Sequence, residues 1–334
     1  MRTRSMFAAM FDDYGPASVL RFEESARPEP SPSQVLVQVV ASGVSHMDGY
    51  VREGRFRDEI PLQLPARQGV SFAGIVRAVG RDVRSVKVGA EVLGHDPAHG
   101  AHATHIVVDA DAVVRKPDRV PWEVAGALHL VGLTAYALVQ ELRLGPDDVV
   151  VVSAAAGGVG HIECQLARLA GARVIGIAGR ENHDYLRSIG TRPVAYDGDL
   201  AEAIGVAAEG RSVTALLDNF GGYEDLGARL GVTKDRIRTS DRRREVEIDH
   251  WTAGADRAAS IRLADVAELV SEWNLRVLVS GYYPFPNLVS AVEELEARHS
   301  RGVVVVGMNP SAPPKEYLRQ RLRARYEAST AATA

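Results

Sequence analysis

Ser153-Ala154-Ala155-Ala156-Gly157-Gly158-Val159-Gly160 follows a run of valines and precedes HIECQLARLAG, whose apolar residues recur at helical spacing. Small residues between a strand and a helix leave backbone N–H groups bare, and the helix adds the positive end of its dipole. In a strand–turn–helix setting this suits the pyrophosphate of a dinucleotide. Gly157 lets the backbone approach the phosphates and Gly160 allows close helix–strand packing. Ala155 stands where G-x-G-x-x-G places its first glycine, and Ala156, Gly158 and Val159 complete the loop. The alternative is a tight turn that needs small residues for packing alone.

The second strand bears on which dinucleotide. An NAD site carries an acidic residue about 20 residues further on, to hold the ribose hydroxyls. Here that strand ends Ile177-Ala178-Gly179-Arg180. Arg180 offers a bidentate donor to the 2′-phosphate of NADP, although Glu181 follows at once; a plain surface arginine is the alternative. NADPH is the coenzyme expected.

These residues need a scaffold. Residues 147–154, 172–179, 193–197, 213–222 and 235–240 read as strands, with helical segments at 161–171, 181–190 and from Ala201 between them. Such alternation predicts an α/β fold with a doubly wound parallel sheet. The first third reads differently. QVLVQVVASGV (34–44) and the glycine-punctuated stretch 69–96 suit a small curved β-domain. A helix is expected from Pro121, stopping before Gly145. From about Ala264 the pattern gives a helix, the strand LRVLVSGYY, a helix, and the strand GVVVVGM, with a frayed helix after Pro310.

Composition narrows the function classes. The chain has 334 residues, 46% hydrophobic and 25% charged, which predicts a globular protein of more than one domain. A net charge of −4 gives no electrostatic case for nucleic acid or an anionic membrane, and Arg242-Arg243-Arg244 is too short a basic run to change that. No stretch reads as approaching the ~20 apolar residues of a membrane span. The early run MFAAMF is too short for a secretion signal. Cys164 is the sole cysteine, so no internal disulfide forms and a reducing, cytoplasmic setting fits. On its helix, Cys164 reads as core.

With these segments placed, the chain resembles the medium-chain dehydrogenase/reductase superfamily, more narrowly its zinc-free, quinone-oxidoreductase-like NADPH reductases. The resemblance spans roughly 5 to 308 and rests on residues 30–54, 64–80, the GLTA of 132–135, residues 153–160, and RGVVVV near the end. It implies a GroES-like β-domain (1–120), an inserted Rossmann domain (121–263), and a C-terminal segment (264–334) that completes the first. It also implies a cleft between the two, a homodimer, and hydride transfer to a quinone or α,β-unsaturated carbonyl (enone), with a place in small-molecule biosynthesis. Zinc-dependent relatives carry G-V-C-H-x-D and G-H-E. This chain has Gly43-Val44-Ser45-His46-Met47-Asp48 and Gly69-Val70-Ser71, so a thiolate and an imidazole ligand are missing. The run His95, His99, His102 and His105 has a metal-like look but reads as structural or exposed, and no metal is expected.

By position, the resemblance puts Thr134 near the nicotinamide and Tyr50 in the cleft, as a proton donor or a wall residue. Ser45 and His46 replace Asn-Pro of the reductases. His46 stands as a general acid or a lining residue, and Asp48 as a holder of local backbone. Tyr196 lies near the adenosine phosphate or simply packs, and Asn219, Phe220 and Gly221 approach the ribose. Val303 replaces a usual Lys, and the charged segment 240–262 departs from an edge that often forms the dimer. The altered cleft motivates a second reading: a protein that binds NADPH or a pathway intermediate without redox turnover.

Overall fold

The computed structural model describes residues 5–240, 257–298 and 300–308. Strands β1 (Ser5–Phe11), β2 (Arg21–Ala26) and β4 (Ala66–Arg67) form a small antiparallel sheet in the order β2-β1-β4. The larger sheet is built on β3 (Gln34–Val44), followed by the short helix α1 (His46–Arg52). Around β3 lie β5 (Ser71–Val79), β6 (Glu91–His95), β7 (His105–Asp109) and β8 (Val113–Arg115). Val35, Val37, Val39, Ala41 and Ser42 of β3 are all buried. A strand covered on both faces reads as a continuous apolar run, which is how β3 reads.

Helix α2 (Trp122–Leu142) begins behind Pro121, whose fixed φ suits a helix entry. It ends at Arg143, which takes the left-handed conformation (φ 48°) expected of a C-terminal cap, so the stop comes two positions before the glycine expected from sequence. By length and composition alone α2 is apolar enough to cross a membrane, where the sequence reading found no stretch approaching such a span. In the structure it is packed between the two larger sheets: one apolar cluster joins Ala73 and Leu93 to Leu128, Val139, Val150 and Val152. The crossing with β3 is backbone on backbone. A Cβ on Gly43 would lie 2.7 Å from the Cα of Ala127, and one on Gly126 would lie 2.7 Å from the carbonyl carbon of Ala41.

The next unit is the expected parallel sheet. It comprises β9 (Val149–Val152), α3 (Gly160–Leu169), β10 (Arg173–Ile177), α4 (His183–Ser188) and β11 (Arg192–Val194). It continues with α5 (Leu200–Ala207), β12 (Ala215–Asp218), α6 (Glu224–Arg229) and β13 (Ile237–Thr239). The order β11-β10-β9-β12-β13 reverses direction on either side of β9, giving a switch point there. The third strand is shorter than its sequence suggests, leaving Tyr196 and Asp197 in a turn.

Helix α7 (Arg257–Ser271) packs on α2, and β14 (Val279–Pro284), α8 (Leu288–Glu296) and β15 (Val303–Gly307) return the chain to the larger sheet built on β3. There β15 pairs antiparallel with β3, Val304 facing Val44. Segments 241–256 and 309–334, with most of the charged stretch and the frayed helix expected from sequence, lie outside the described residues.

Candidate active site

The small-residue loop sits at the switch point, at the carboxyl end of β9. Ser153 N donates to Leu217 O and Ala155 N to Ile177 O, which seats the loop between β12 and β10. Ala154 has φ 45° and turns its carbonyl inward. A Cβ on Gly160 would lie 2.5 Å from that carbonyl oxygen, and one on Gly157 3.1 Å. Gly160 is therefore obligatory, a side chain at Gly157 would press on the same carbonyl, and Ala155 and Ala156 are buried. Gly157 also forms a parallel bridge with Gly302, whose N donates to Ala156 O at 2.8 Å. Val159 ends the loop and caps α3. At Gly160 the place of a side chain is taken by the Ala154 carbonyl, so the turn that opens α3 is lined by bare backbone.

Two strand ends flank the loop. At the end of β10, Arg180 turns away and pairs with Asp197, its Nη2 3.0 Å from Oδ2; both side chains are largely exposed. This pair holds the Asp197 carboxyl below its usual range. The Glu181 carboxylate lies over Gly179, within 2.2 Å of where a Cβ on that glycine would be. Tyr196, next to Asp197, is 63% exposed. At the end of β12, Asn219 N and Phe220 N both donate to Ser153 Oγ, at 2.8 and 2.9 Å. Asp218, which sequence reasoning missed, is buried. It accepts from Ser153 Oγ at 2.6 Å and from the backbone N–H groups of Phe220, Gly221 and Tyr223. Gly221 and Gly222 both have φ near 90°, which this tight turn requires.

Three buried polar residues of α3 were also missed. His161 Nδ1 donates to Gly157 O at 2.7 Å, and its Nε2 accepts from Leu278 N at 3.2 Å. One tautomer of the neutral ring satisfies both bonds, and burial pulls its pKa down to about 4. Gln165 exchanges hydrogen bonds with Arg276 N and O. Together they tie the start of the C-terminal segment to the helix behind the loop. Glu163 is fully buried and contacts Asn219. Cys164 is buried too, and burial pushes its thiol above the ordinary range.

The residues expected to line a cleft lie on α1 and at its cap. Ser45 is its N-cap: Ser45 N and Oγ both donate to Asp48 Oδ2 at 2.8 Å, and Asp48 N donates back to Ser45 Oγ. This reciprocal cap engages Ser45 and gives Asp48 its backbone-holding role. His46 is exposed and stacks on Tyr50 with ring centroids 6.3 Å apart, while the Arg55 guanidinium lies 4.8 Å over the Tyr50 ring. Buried Arg52 anchors the helix, donating to Gly15 O, Gln68 Oε1 and Glu296 Oε1. Val304 pairs with Val44, two residues from Gly302, so Ser45 lies on the order of 10 Å from Gly157 by sheet spacing. Thr134 Oγ1 donates to Leu130 O one turn back on α2. The Val131 side chain of that helix lies 3.4 Å from a Cβ built on Gly158.

The four spaced histidines do not converge. His102 Nε2 donates to Gly43 O, His105 bonds Thr104 Oγ1, and His95 stacks on His129 at 4.2 Å. Among the described residues, no group of three or more His, Cys, Asp or Glu side chains is arranged to hold a metal ion.

Comparison with known proteins agrees with this architecture. Residues 31–118 match the alcohol dehydrogenase GroES-like domain, and residues 198–306 match the zinc-binding dehydrogenase domain. Quinone oxidoreductase 1 of Escherichia coli (strain K12) is 32% identical over 215 residues, covering 63% of this chain and 65% of that relative. The quinone oxidoreductase of Salmonella typhimurium is 36% identical over 170 residues, which is 51% of each chain. These stretches thus span about half to two thirds of the relatives' length. The E. coli quinone oxidoreductase solved in complex with NADPH superposes with a TM-score of 0.78 at 26% identity, covering 90% of this chain and 99% of that one. The chain belongs to the medium-chain dehydrogenase/reductase superfamily, in its zinc-free, quinone-oxidoreductase-like group.

Proposed function

We propose that this protein is an NADPH-dependent oxidoreductase that delivers a hydride to a quinone or an α,β-unsaturated carbonyl. The observation that carries the reading is the loop at the switch point, with Gly157 and Gly160 bare and the β10 and β12 ends on either side. The nicotinamide supplies the hydride when bound. The protein's part is binding, orientation and exclusion of water. Ala155–Gly160 hold the phosphates, Asn219–Gly221 the ribose, and Thr134 lies toward the nicotinamide end. Arg180 exchanges its exposed partner Asp197 for the 2′-phosphate. An exposed ion pair is worth about 0–1 kcal/mol, so the exchange costs little. Ser45 fixes the start of α1, His46 lines the cleft, and Tyr50 offers its phenol to the substrate oxygen as the negative charge develops there. We place the domain limits at 1–120, 121–263 and 264–334, and read the protein as a cytoplasmic homodimer of small-molecule metabolism that uses neither nucleic acid nor membrane.

Fluorescence titration with NADPH and NADH tests the coenzyme. A charge-assisted contact from Arg180 predicts at least about tenfold tighter NADPH binding, lost in Arg180→Ala. Equal affinities overturn the role of Arg180, and binding of neither overturns the whole reading. NADPH absorbance then follows turnover across quinones and enones. Tight binding without turnover favours the second reading, a coenzyme-binding protein, which the altered Ser45-His46 pair motivates.

A further inference from the structure

Among the buried ionisable groups of the coenzyme region, Glu163 has no role in the reading above. Glu163 stands on the first turn of α3, three residues after Gly160, with its side chain out of solvent. Its Oε2 accepts from Asn219 Nδ2 at 2.5 Å, and its Oε1 is buried with no hydrogen-bond partner among the described residues. Asn219 is the hinge of the flanking turn. Its Nδ2 also donates to Ser153 O, its Oδ1 accepts from Ser240 Oγ at 2.5 Å, and its backbone N donates to Ser153 Oγ. The side chain of Asn219 thus joins the end of β12, the start of the loop, and the helix behind it.

We propose that Glu163 is a positioning residue for the coenzyme: it fixes Asn219, and through it the turn 218–222, against Ser153 at the root of the small-residue loop. This rests on the coenzyme reading given above. The position is an odd one for a carboxylate. A buried anion with one orphaned oxygen is costly, and no cation among the described residues pairs with it. The titratable groups facing it are Asp218 at the end of β12, whose charge repels it, and Cys164 on its own helix. Burial, reinforced by Asp218, therefore keeps the proton on Glu163 up to about pH 8. The neutral carboxyl still accepts from Asn219, whose N–H opposes the effect of burial without cancelling it. Once the proton leaves, the anion must draw in water or a new donor, and Asn219 and the turn it holds move with it. A negative charge then also stands behind the loop that receives phosphates.

The test is the dissociation constant of NADPH for the full chain between about pH 7 and 9, by fluorescence, with melting temperature followed on each variant. The 2′-phosphate is fully ionised over most of this range, so the coenzyme contributes little to the change. Wild type is expected to weaken by up to about tenfold across it, one proton being linked to binding. Glu163→Gln keeps an acceptor for Asn219 Nδ2 and carries no charge, so its affinity should equal wild type near pH 7 and stay flat to pH 9. Glu163→Ala, which removes the contact, should bind more weakly at every pH while remaining folded. A flat wild-type profile overturns the inference, as does a Glu163→Gln profile parallel to wild type; either leaves the coenzyme reading standing. Failure of wild type to bind NADPH even at pH 7 overturns both.

Discussion

His129 carries two ring nitrogens that are buried without a hydrogen-bond partner among the described residues, and the His95 ring stacked on it carries a third. Each such orphan costs about 1–3 kcal/mol. Burial holds both rings neutral, His95 with a pKa of about 4. His129→Leu keeps a similar volume and removes two orphans, so it should raise stability by about 1 kcal/mol in urea unfolding at neutral pH. A loss of stability would mean that the stack holds the helix in place, and a loss of quinone turnover at unchanged stability would mean that substrate uses those nitrogens. At this scale the sequence was legible only in part. The need for Gly157 and Gly160 is written in local backbone geometry, so a short pattern reveals it. The partners of His161 and Gln165 are Leu278 and Arg276, more than a hundred residues away, and no local pattern announces them. His95 looked like part of a metal-like run because its real neighbour stands on α2.

Strands and helices of the parallel unit were legible almost throughout, since each buries one side of a simple period. Ends were less so. Arg143 rather than a glycine closes α2, and the β11 strand stops at Val194, because tertiary contacts decide where pairing ceases. The least legible element is α1. Its cap can be read from Ser45 and Asp48, but what anchors it is Arg52, buried against Gly15, Gln68 and Glu296. Arg52→Met should cost about 3 kcal/mol, because it leaves the half-buried Gly15 carbonyl and the buried Gln68 carboxamide without their donor. Equilibrium unfolding measures this. A cost under about 1 kcal/mol would show that the neighbouring packing, and not the arginine, holds the helix that presents His46 and Tyr50.

For the molecule as a whole, the buried titratable groups set opposing slopes of stability with pH. His95, His105 and His161 have pKa values lowered to about 4, and burial lowers those of His102 and His129 as well. The unfolded chain takes up these protons first, so the stability they represent is present above about pH 6.5 and lost as pH falls toward 4. Glu163 acts the other way. Its raised pKa stabilises the fold at low pH, and that contribution is lost as pH rises toward about 8. Melting temperature should therefore crest near neutrality, fall steeply on the acid side where the buried histidines act together, and fall gently toward about pH 8. Glu163→Gln should remove the fall between about pH 6.5 and 8 and steepen the acid-side fall, which Glu163 opposes. A melting temperature that holds steady from pH 7 down to 5 would sink this account of the histidines.

The bridge between Gly157 and Gly302 has a bearing on how the protein is made. The loop is synthesised near the middle of the chain, but its partner strand leaves the ribosome much later. Until Gly302 has emerged, a nascent chain holds an unfinished cradle, whatever else has already folded. Completion of that cradle is a late event in translation, so a ligand that fits it also reports that synthesis has passed that point.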